Sequence, residues 1–337
     1  MKKIIATLLL ITMSIFAFAA CDNGGGDNGD STPTKINVGF MSGPTGMGMA
    51  KLINDNGGKE GNDKYAFTAY ADTADAKADL TKGEVDVICL PTNEAAAYYK
   101  TVDSSIRVLA INCLNSLFLI SDKDNNVASL SELEGKTIYT CKNGTPKIIL
   151  EYIISKLGLD ITVSTTTPDG TKEMVKPADV QAQVINGTLP FAVIPEPLIT
   201  AAKLAINKAG KADEISYSVD IDLGEAYESI EGNPPIAMGC IVTTQKFIDE
   251  NPDELAAFLT EYEASVNFIG NLDNLNTSAK YIADAGIMAA EPAAKSALSN
   301  LGDAISYIDG AEMKSTLKTF YTELALPSPD DAFYYEK

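Results

Sequence analysis

Short apolar runs alternate with amphipathic stretches from about residue 35 to residue 244. Ile36–Met41 and Val85–Leu90 are largely apolar, the pattern of strands that are buried on both faces of a sheet. Each is followed by a polar turn and then by a segment with helical spacing. Between these two runs, Asp72-Thr73-Ala74-Asp75 is an N-cap signature that opens an alanine-rich helix. This alternation predicts an α/β protein with mainly parallel sheets flanked by helices.

The same pattern returns in a second part of the chain. Lys35–Thr45 resembles Lys136–Pro146, and Gly83–Pro91 resembles Gly187–Pro195, with a glycine and a proline at the two ends of both members of the second pair. Any two strand–helix units share such features. Two matches in the same order nevertheless favour two similar lobes.

The expected lobe boundaries follow from the apolar strands that adjoin two short segments. We expect the chain to cross between lobes near Asn115-Ser116 and near Met238-Gly239. After residue 244 the sequence is nearly all helical and is expected to return to the first lobe. The predicted organisation is therefore a two-lobed fold in which residues 35–116 and 239–337 form lobe 1, with a helical C-terminal part, and residues 117–238 form lobe 2.

The first twenty residues have the features of an export signal. Lys2 and Lys3 precede an apolar run that ends at Ala19-Ala20-Cys21, and this run is too short to span a bilayer comfortably as a mature helix. We interpret residues 1–20 as a lipoprotein signal peptide and the glycine-rich, acidic residues 21–34 as a flexible tether. Lipid on Cys21 would hold the protein in the cell envelope, at the outer or periplasmic face of the cytoplasmic membrane. Ordinary secretion with a stray cysteine is the alternative.

The composition excludes several kinds of chemistry. The chain has 26 basic and 46 acidic residues, a formal net charge of −20, and no histidine. Ser-His-Asp and Cys-His catalysis and histidine metal ligands are therefore excluded, and the cysteine spacing matches no zinc site, so no metal is expected. No nucleic-acid partner is expected, because binding phosphates needs a basic surface. The segment Gly43–Gly48 fits neither a dinucleotide-binding nor a phosphate-loop motif, so no cofactor is expected.

The cysteines after Cys21 lie in or beside apolar runs; they are Cys89, Cys113, Cys141 and Cys240. We expect them to be buried free thiols that pack as small hydrophobes. A disulfide between Cys113 and Cys240 is the alternative. The methionines Met47, Met49 and Met238 are likewise assigned to the core.

Candidate ligand-binding residues lie at the carboxyl ends of the predicted strands, where helix N-termini present unpaired N–H groups. The turn Ser42–Thr45 is the strongest candidate, with simple helix capping as the competing use. Glu196 follows an apolar strand and stands between two prolines, which frames a carboxylate at a strand end. The full set is Ser42, Gly43, Pro44, Thr45, Asp72, Thr92, Asn93, Asn115, Asn143, Gly144, Thr145 and Glu196.

The expected charge of the ligand follows from the charged residues near these turns. Arg107, the single arginine, begins a strand and is expected at the end opposite the binding cleft. Glu196 and Asp72 favour a hydrogen-bond-donating or cationic group. We therefore expect a neutral or weakly cationic ligand, with an anion held by lysine as the alternative.

Several motifs carry a family resemblance through their order and spacing. They are Gly43–Met49, Lys82–Val87, Leu90–Asn93, Leu130–Lys136, Ile194–Pro197, Ile236–Cys240 and Phe247–Pro252. Together they resemble the type II periplasmic solute-binding proteins of ABC importers, in the branch for nitrate, sulfonates and thiamine precursors, over essentially the whole mature chain. The resemblance implies a monomer that closes two lobes on a small molecule and delivers it to an ABC permease in the membrane, without catalysis.

Within this branch, a heterocycle like the pyrimidine precursor of thiamine fits the expected charge better than nitrate or an alkanesulfonate. A riboflavin-like ligand stays open. Eukaryotic enzymes of the same branch make the thiamine pyrimidine by consuming a histidine, which this chain lacks, so the enzyme interpretation is rejected. A surface lipoprotein without a transport role is the remaining alternative.

Overall fold

The computed structural model describes residues 34–103 and 105–336, which belong to one unit of the chain. The predicted signal peptide, Cys21 and all of the predicted tether except Thr34 lie outside the described residues. The strands are β1 (Ile36–Met41), β2 (Tyr65–Tyr70), β3 (Val87–Pro91), β4 (Ile106–Leu114), β5 (Leu117–Asp122), β6 (Thr137–Tyr139), β7 (Thr162–Ser164), β8 (Phe191–Pro195), β9 (Tyr217–Asp222), β10 (Ala237–Thr244) and β11 (Ile308–Asp309).

Helices connect and cover these strands. The α-helices are α1 (Pro44–Met47), α2 (Ala50–Asp55), α3 (Thr73–Lys82), α4 (Thr92–Thr101), α5 (Thr145–Leu157), α6 (Pro177–Ile185), α7 (Leu198–Lys208), α8 (Leu223–Glu228), α9 (Gln245–Glu250), α10 (Pro252–Gly270), α11 (Leu275–Asp284), α12 (Glu291–Leu301) and α13 (Gly310–Glu323). None of the described helices is both long enough and apolar enough to cross a membrane.

Two sheets organise the molecule, and five of the six strands of the first follow the same order as the five strands of the second. The first sheet runs β11-β4-β10-β3-β1-β2, and the second runs β7-β6-β8-β5-β9. In the first, β1 pairs in parallel with β2 and β3, while β10 lies antiparallel between β3 and β4. In the second, β6 pairs in parallel with β7 and β8, while β5 lies antiparallel between β8 and β9. The expected two-lobed α/β fold is confirmed. Each sheet is mixed, because β10 and β11 run against the other strands of the first sheet and β5 runs against those of the second.

The matched segments of the sequence occupy matching places in the two sheets. Lys35–Thr45 contains β1 and Lys136–Pro146 contains β6, while Gly83–Pro91 and Gly187–Pro195 end in β3 and β8. We call the elements around the first sheet the first lobe and those around the second sheet the second lobe. The exact residues at which the lobes divide stay a prediction.

The chain passes from one sheet to the other twice. The first passage is at Asn115-Ser116, between β4 and β5. The second lies between α8 and β10 and ends just before the predicted Met238-Gly239. Those two residues belong to β10, where Gly239 pairs with Pro91 on one side and Cys113 on the other.

The four cysteines of the described residues are free and buried. Burial raises the pKa of the Cys89 and Cys113 thiols to about 12. The expectation of buried thiols is confirmed, and the alternative disulfide between Cys113 and Cys240 is not formed.

Candidate functional site between the two lobes

A cavity of about 460 Å³ lies where turns from both lobes meet. The first lobe contributes the β1–α1 turn, one residue each from β3, β4 and β10, and the segment that follows α11. The second lobe contributes the β8–α7 turn and the start of α6, and Ser116 of the first crossing completes the wall. The lining residues are Ser42, Gly43, Pro44, Thr45, Pro91, Cys113, Ser116, Pro177, Pro195, Glu196, Pro197, Leu198, Ala201, Met238, Ile287 and Met288.

The β1–α1 turn reaches across to the second lobe because of Gly43. Its φ of 106° and ψ of −163° lie in a region that glycine adopts and other residues avoid. A Cβ at this position would lie 3.6 Å from Cδ of Pro197, so the glycine backbone faces the β8–α7 turn directly. Pro44 then begins α1, where its missing N–H costs nothing.

The β8–α7 turn buries a carboxylate. Glu196 has no exposed surface, and its backbone N donates to Ser116 O at 3.0 Å. Its Oε2 accepts from Thr200 N at 3.1 Å, and its Oε1 accepts from Thr200 Oγ1 at 3.0 Å and from Asn300 Nδ2. Burial raises the pKa of Glu196, and the hydrogen bonds from Asn300 and Thr200 act in the opposite direction. The carboxylate therefore borders the cavity with its oxygens already bonded.

The cavity wall is mostly apolar. Five prolines line it, together with the side chains of Leu198, Ala201, Met238, Ile287 and Met288. Hydroxyl groups come from Ser42, Thr45 and Ser116. Among the described residues, none of those that line this cavity is lysine or arginine. A site of this kind binds a ligand by apolar contact, with a few polar groups to orient it.

Three solved structures illustrate how other proteins share this architecture at low sequence identity. An ABC transporter protein from Parabacteroides distasonis has 19% sequence identity and a TM-score of 0.66, covering 90% of this chain and 99% of its own. The periplasmic aliphatic sulphonate binding protein of Escherichia coli has 15% identity and a TM-score of 0.63, with coverage of 90% and 93%. The periplasmic nitrate-binding protein of Synechocystis has 14% identity and a TM-score of 0.60, with coverage of 89% and 84%.

The protein has the fold of the type II periplasmic binding proteins. Residues 59–189 also match the family model described as NMT1/THI5 like. No curated protein sequence matches the chain. The predicted resemblance to this group of proteins is therefore confirmed at the level of fold.

This periplasmic-binding fold gathers five of the predicted site residues around one cavity, namely Ser42, Gly43, Pro44, Thr45 and Glu196. The remaining seven are absent from its wall. Asp72 is exposed and caps α3 by accepting from Ala74 N at 2.7 Å. Thr92 is buried and donates to Ala237 O, while Asn93 follows it in the first turn of α4.

The turn before α5 is the second-lobe counterpart of the β1–α1 turn. Gly144 precedes the helix with φ 101°, close to the value at Gly43, and Thr145 begins the helix. Asn143 is exposed, and its backbone N donates to Val175 O at 3.0 Å. These three residues lie outside the cavity wall. Pro177, two residues after the Val175 that accepts from Asn143, belongs to it.

Asn115 occupies the crossing between the lobes. Its backbone N donates to Ile236 O at 3.0 Å, and its Oδ1 accepts from Ile236 N at 2.9 Å. Its Nδ2 donates to Glu228 Oε1. The side chain thereby joins the first crossing segment to the second.

Eleven of the sixteen wall residues were not predicted as site residues, and Met238, Ile287 and Met288 show why. Met47 and Met49 are buried, as expected of core residues. Met238 is half-buried and packs against the core, but it also lines the cavity. Ile287 and Met288 follow α11 in a segment that reads as an ordinary helical connection. Their apolar character matches core and cavity wall equally well, so the sequence holds no signal that separates the two.

Proposed function

We propose that this protein is the solute-binding component of an ABC importer. The observation that carries the proposal is a cavity framed by strand-end turns from two lobes that share one sheet topology. Ligands of open α/β sheets bind at such strand ends. The similar structures are described as an ABC transporter protein and as periplasmic binding proteins for sulphonates and nitrate, which supports this function.

The partners and location belong to the same proposal. The protein delivers its solute to an ABC permease and acts as a monomer, without cofactor and without chemical turnover. The lipid on Cys21 holds it at the membrane. The proposal is supported by the apolar run that ends at Ala19-Ala20-Cys21 and by the absence of histidine from the sequence.

The ligand that the cavity favours is a largely apolar, neutral or weakly cationic heterocycle, such as a pyrimidine precursor of thiamine. Arg107 lies six residues before Cys113 on β4, about 20 Å from the cavity at the usual rise of a strand. An anion such as nitrate or a sulfonate would therefore lack a basic partner in the wall. Because the oxygens of Glu196 are already bonded, a neutral ring fits better than a full cation.

Native mass spectrometry of gently purified protein tests the function first, since a bound solute adds a defined mass to the protein. Thermal unfolding with a thiamine pyrimidine precursor, riboflavin, nitrate and an alkanesulfonate then tests the class. A true ligand at a hundred times its Kd should add about 2.7 kcal/mol to the free energy of unfolding. Stabilisation by nitrate or sulfonate alone would overturn the ligand class but not the binding function.

A cavity-filling variant ties binding to this site. Ala201 lines the cavity, so Ala201→Phe should abolish the binding of whichever compound stabilises the wild type. Ala209→Phe places the same ring on an exposed position at the end of α7 and should bind normally. Equal binding by both variants would show that the solute binds elsewhere.

A further inference from the structure

Helices α7 and α12 face each other from different lobes. The apolar side of α12, with Ala294, Ala297 and Leu298, packs into the core around β1 of the first sheet. The apolar side of α7, with Ile199 and Ala202, packs into the core around β8 of the second sheet. Each helix is therefore fixed to its own lobe, and any contact between them joins the lobes.

Two pairs of polar residues meet along this contact. Glu196 accepts from Asn300 Nδ2, and Thr200 Oγ1 lies 3.4 Å from Ser296 Oγ. Glu196 and Thr200 are four residues apart, and so are Ser296 and Asn300. This spacing places the two residues of each segment on one face. Because the higher number on α7 meets the lower number on α12, the two helices run antiparallel at this contact.

We propose that Glu196 and Asn300 form a latch that holds the two lobes closed over the cavity. Glu196 is completely buried. Asn300, which is half-buried, donates a hydrogen bond to it from the other lobe. If the lobes separated, the carboxylate would lose this donor and water would have to replace it. Glu196 thus acts as a closure residue rather than as a direct ligand contact, and Asn300 is its partner.

Another polar contact between the lobes, formed by α13 and α5, is of a different kind. Glu323 of α13 lies 3.3 Å from Lys156 Nζ and 2.9 Å from the Tyr152 hydroxyl, both on α5. The Lys156 and Glu323 side chains are 48% and 36% exposed, so water and salt screen their attraction. The buried carboxylate–amide pair lacks that screening, which is why we assign the latch to it.

The test replaces the amide by a second carboxylate. Asn300→Asp sets two acids against each other and should open the lobes, which raises the radius of gyration in small-angle X-ray scattering. Amide hydrogen exchange at the start of α7 should quicken by about tenfold or more, as expected when a hydrogen bond to a charged group is lost. Adding Glu196→Gln to Asn300→Asp restores an amide–carboxylate pair with the roles exchanged and should return both readings towards the wild type.

Two controls separate the latch from a general effect of charge. Asn207→Asp adds the same charge to an exposed position on α7 and should match the wild type. Glu323→Gln weakens the screened contact and should also leave the lobes closed. The latch is overturned if Asn300→Asp keeps the wild-type radius, or if the double variant stays as open as the single one. Neither result touches the proposed solute-binding function, since no ligand is involved.

Discussion

At the scale of single residues, Gly43 is the position where backbone conformation decides the site. Gly43→Ala should lower the free energy of unfolding by about 1–3 kcal/mol, because an alanine at φ 106° is held in a region that it avoids. Urea denaturation measures the change. Ser42→Ala, one residue earlier and exposed, should stay within about 0.5 kcal/mol of the wild type. Equal stability of the two variants would contradict this turn conformation.

The buried thiols give a second prediction at this scale. Since burial raises the pKa of Cys89 and Cys113 from 9.0 to about 12, the folded state holds their protons while the unfolded state releases them. Stability is therefore fully present below pH 9 and falls as the pH rises from 9 towards 12. A Cys21→Ser protein should show no thiol modification at pH 8 when folded and four modified thiols in guanidinium chloride. Rapid modification of the folded protein would contradict the burial.

At the scale of elements, the two crossing segments are held together by one side chain. Asn115→Ala removes the bonds to Ile236 N and Glu228 and should cost about 1–3 kcal/mol in free energy of unfolding. Glu228→Gln keeps an acceptor for Asn115 Nδ2 and serves as the matched control, with a change below about 1 kcal/mol. If Asn115→Ala unfolds at the wild-type urea concentration, the crossing segments are not joined by this residue.

At the scale of the whole molecule, the proposed lipid on Cys21 gives a prediction about where the protein is found. Cys21→Ala should move the protein from the membrane fraction to the soluble fraction, because the lipid has no attachment point. Cys141→Ala removes a buried thiol of the described residues and should leave the membrane fraction unchanged. Membrane retention of Cys21→Ala would contradict lipid anchoring.

The sequence by itself determined the elements and the lobe pattern. Apolar runs such as Val87–Leu90 and the helix cap at Asp72 depend on residues that are close together in the chain. The strand and the start of the helix could therefore be predicted from the sequence. The repeated Gly-to-Pro segments placed β3 and β8 in equivalent positions, since the same local pattern forms the same strand–turn–helix unit. The turn Ser42–Thr45 was found in this way too.

Only the tertiary structure decided which strand ends meet. Asn143–Thr145 and Thr92 carry the same local signature as Ser42–Thr45, yet they lie outside the cavity wall, because the packing of the lobes selects which turns face each other. The pairing of Glu196 with Asn300 joins residues 104 positions apart, a distance over which local pattern carries no information. The insertion of β10 into the first sheet likewise depends on long-range hydrogen bonds. These bonds bring Met238 to the cavity wall, and they place the second crossing in the segment before β10.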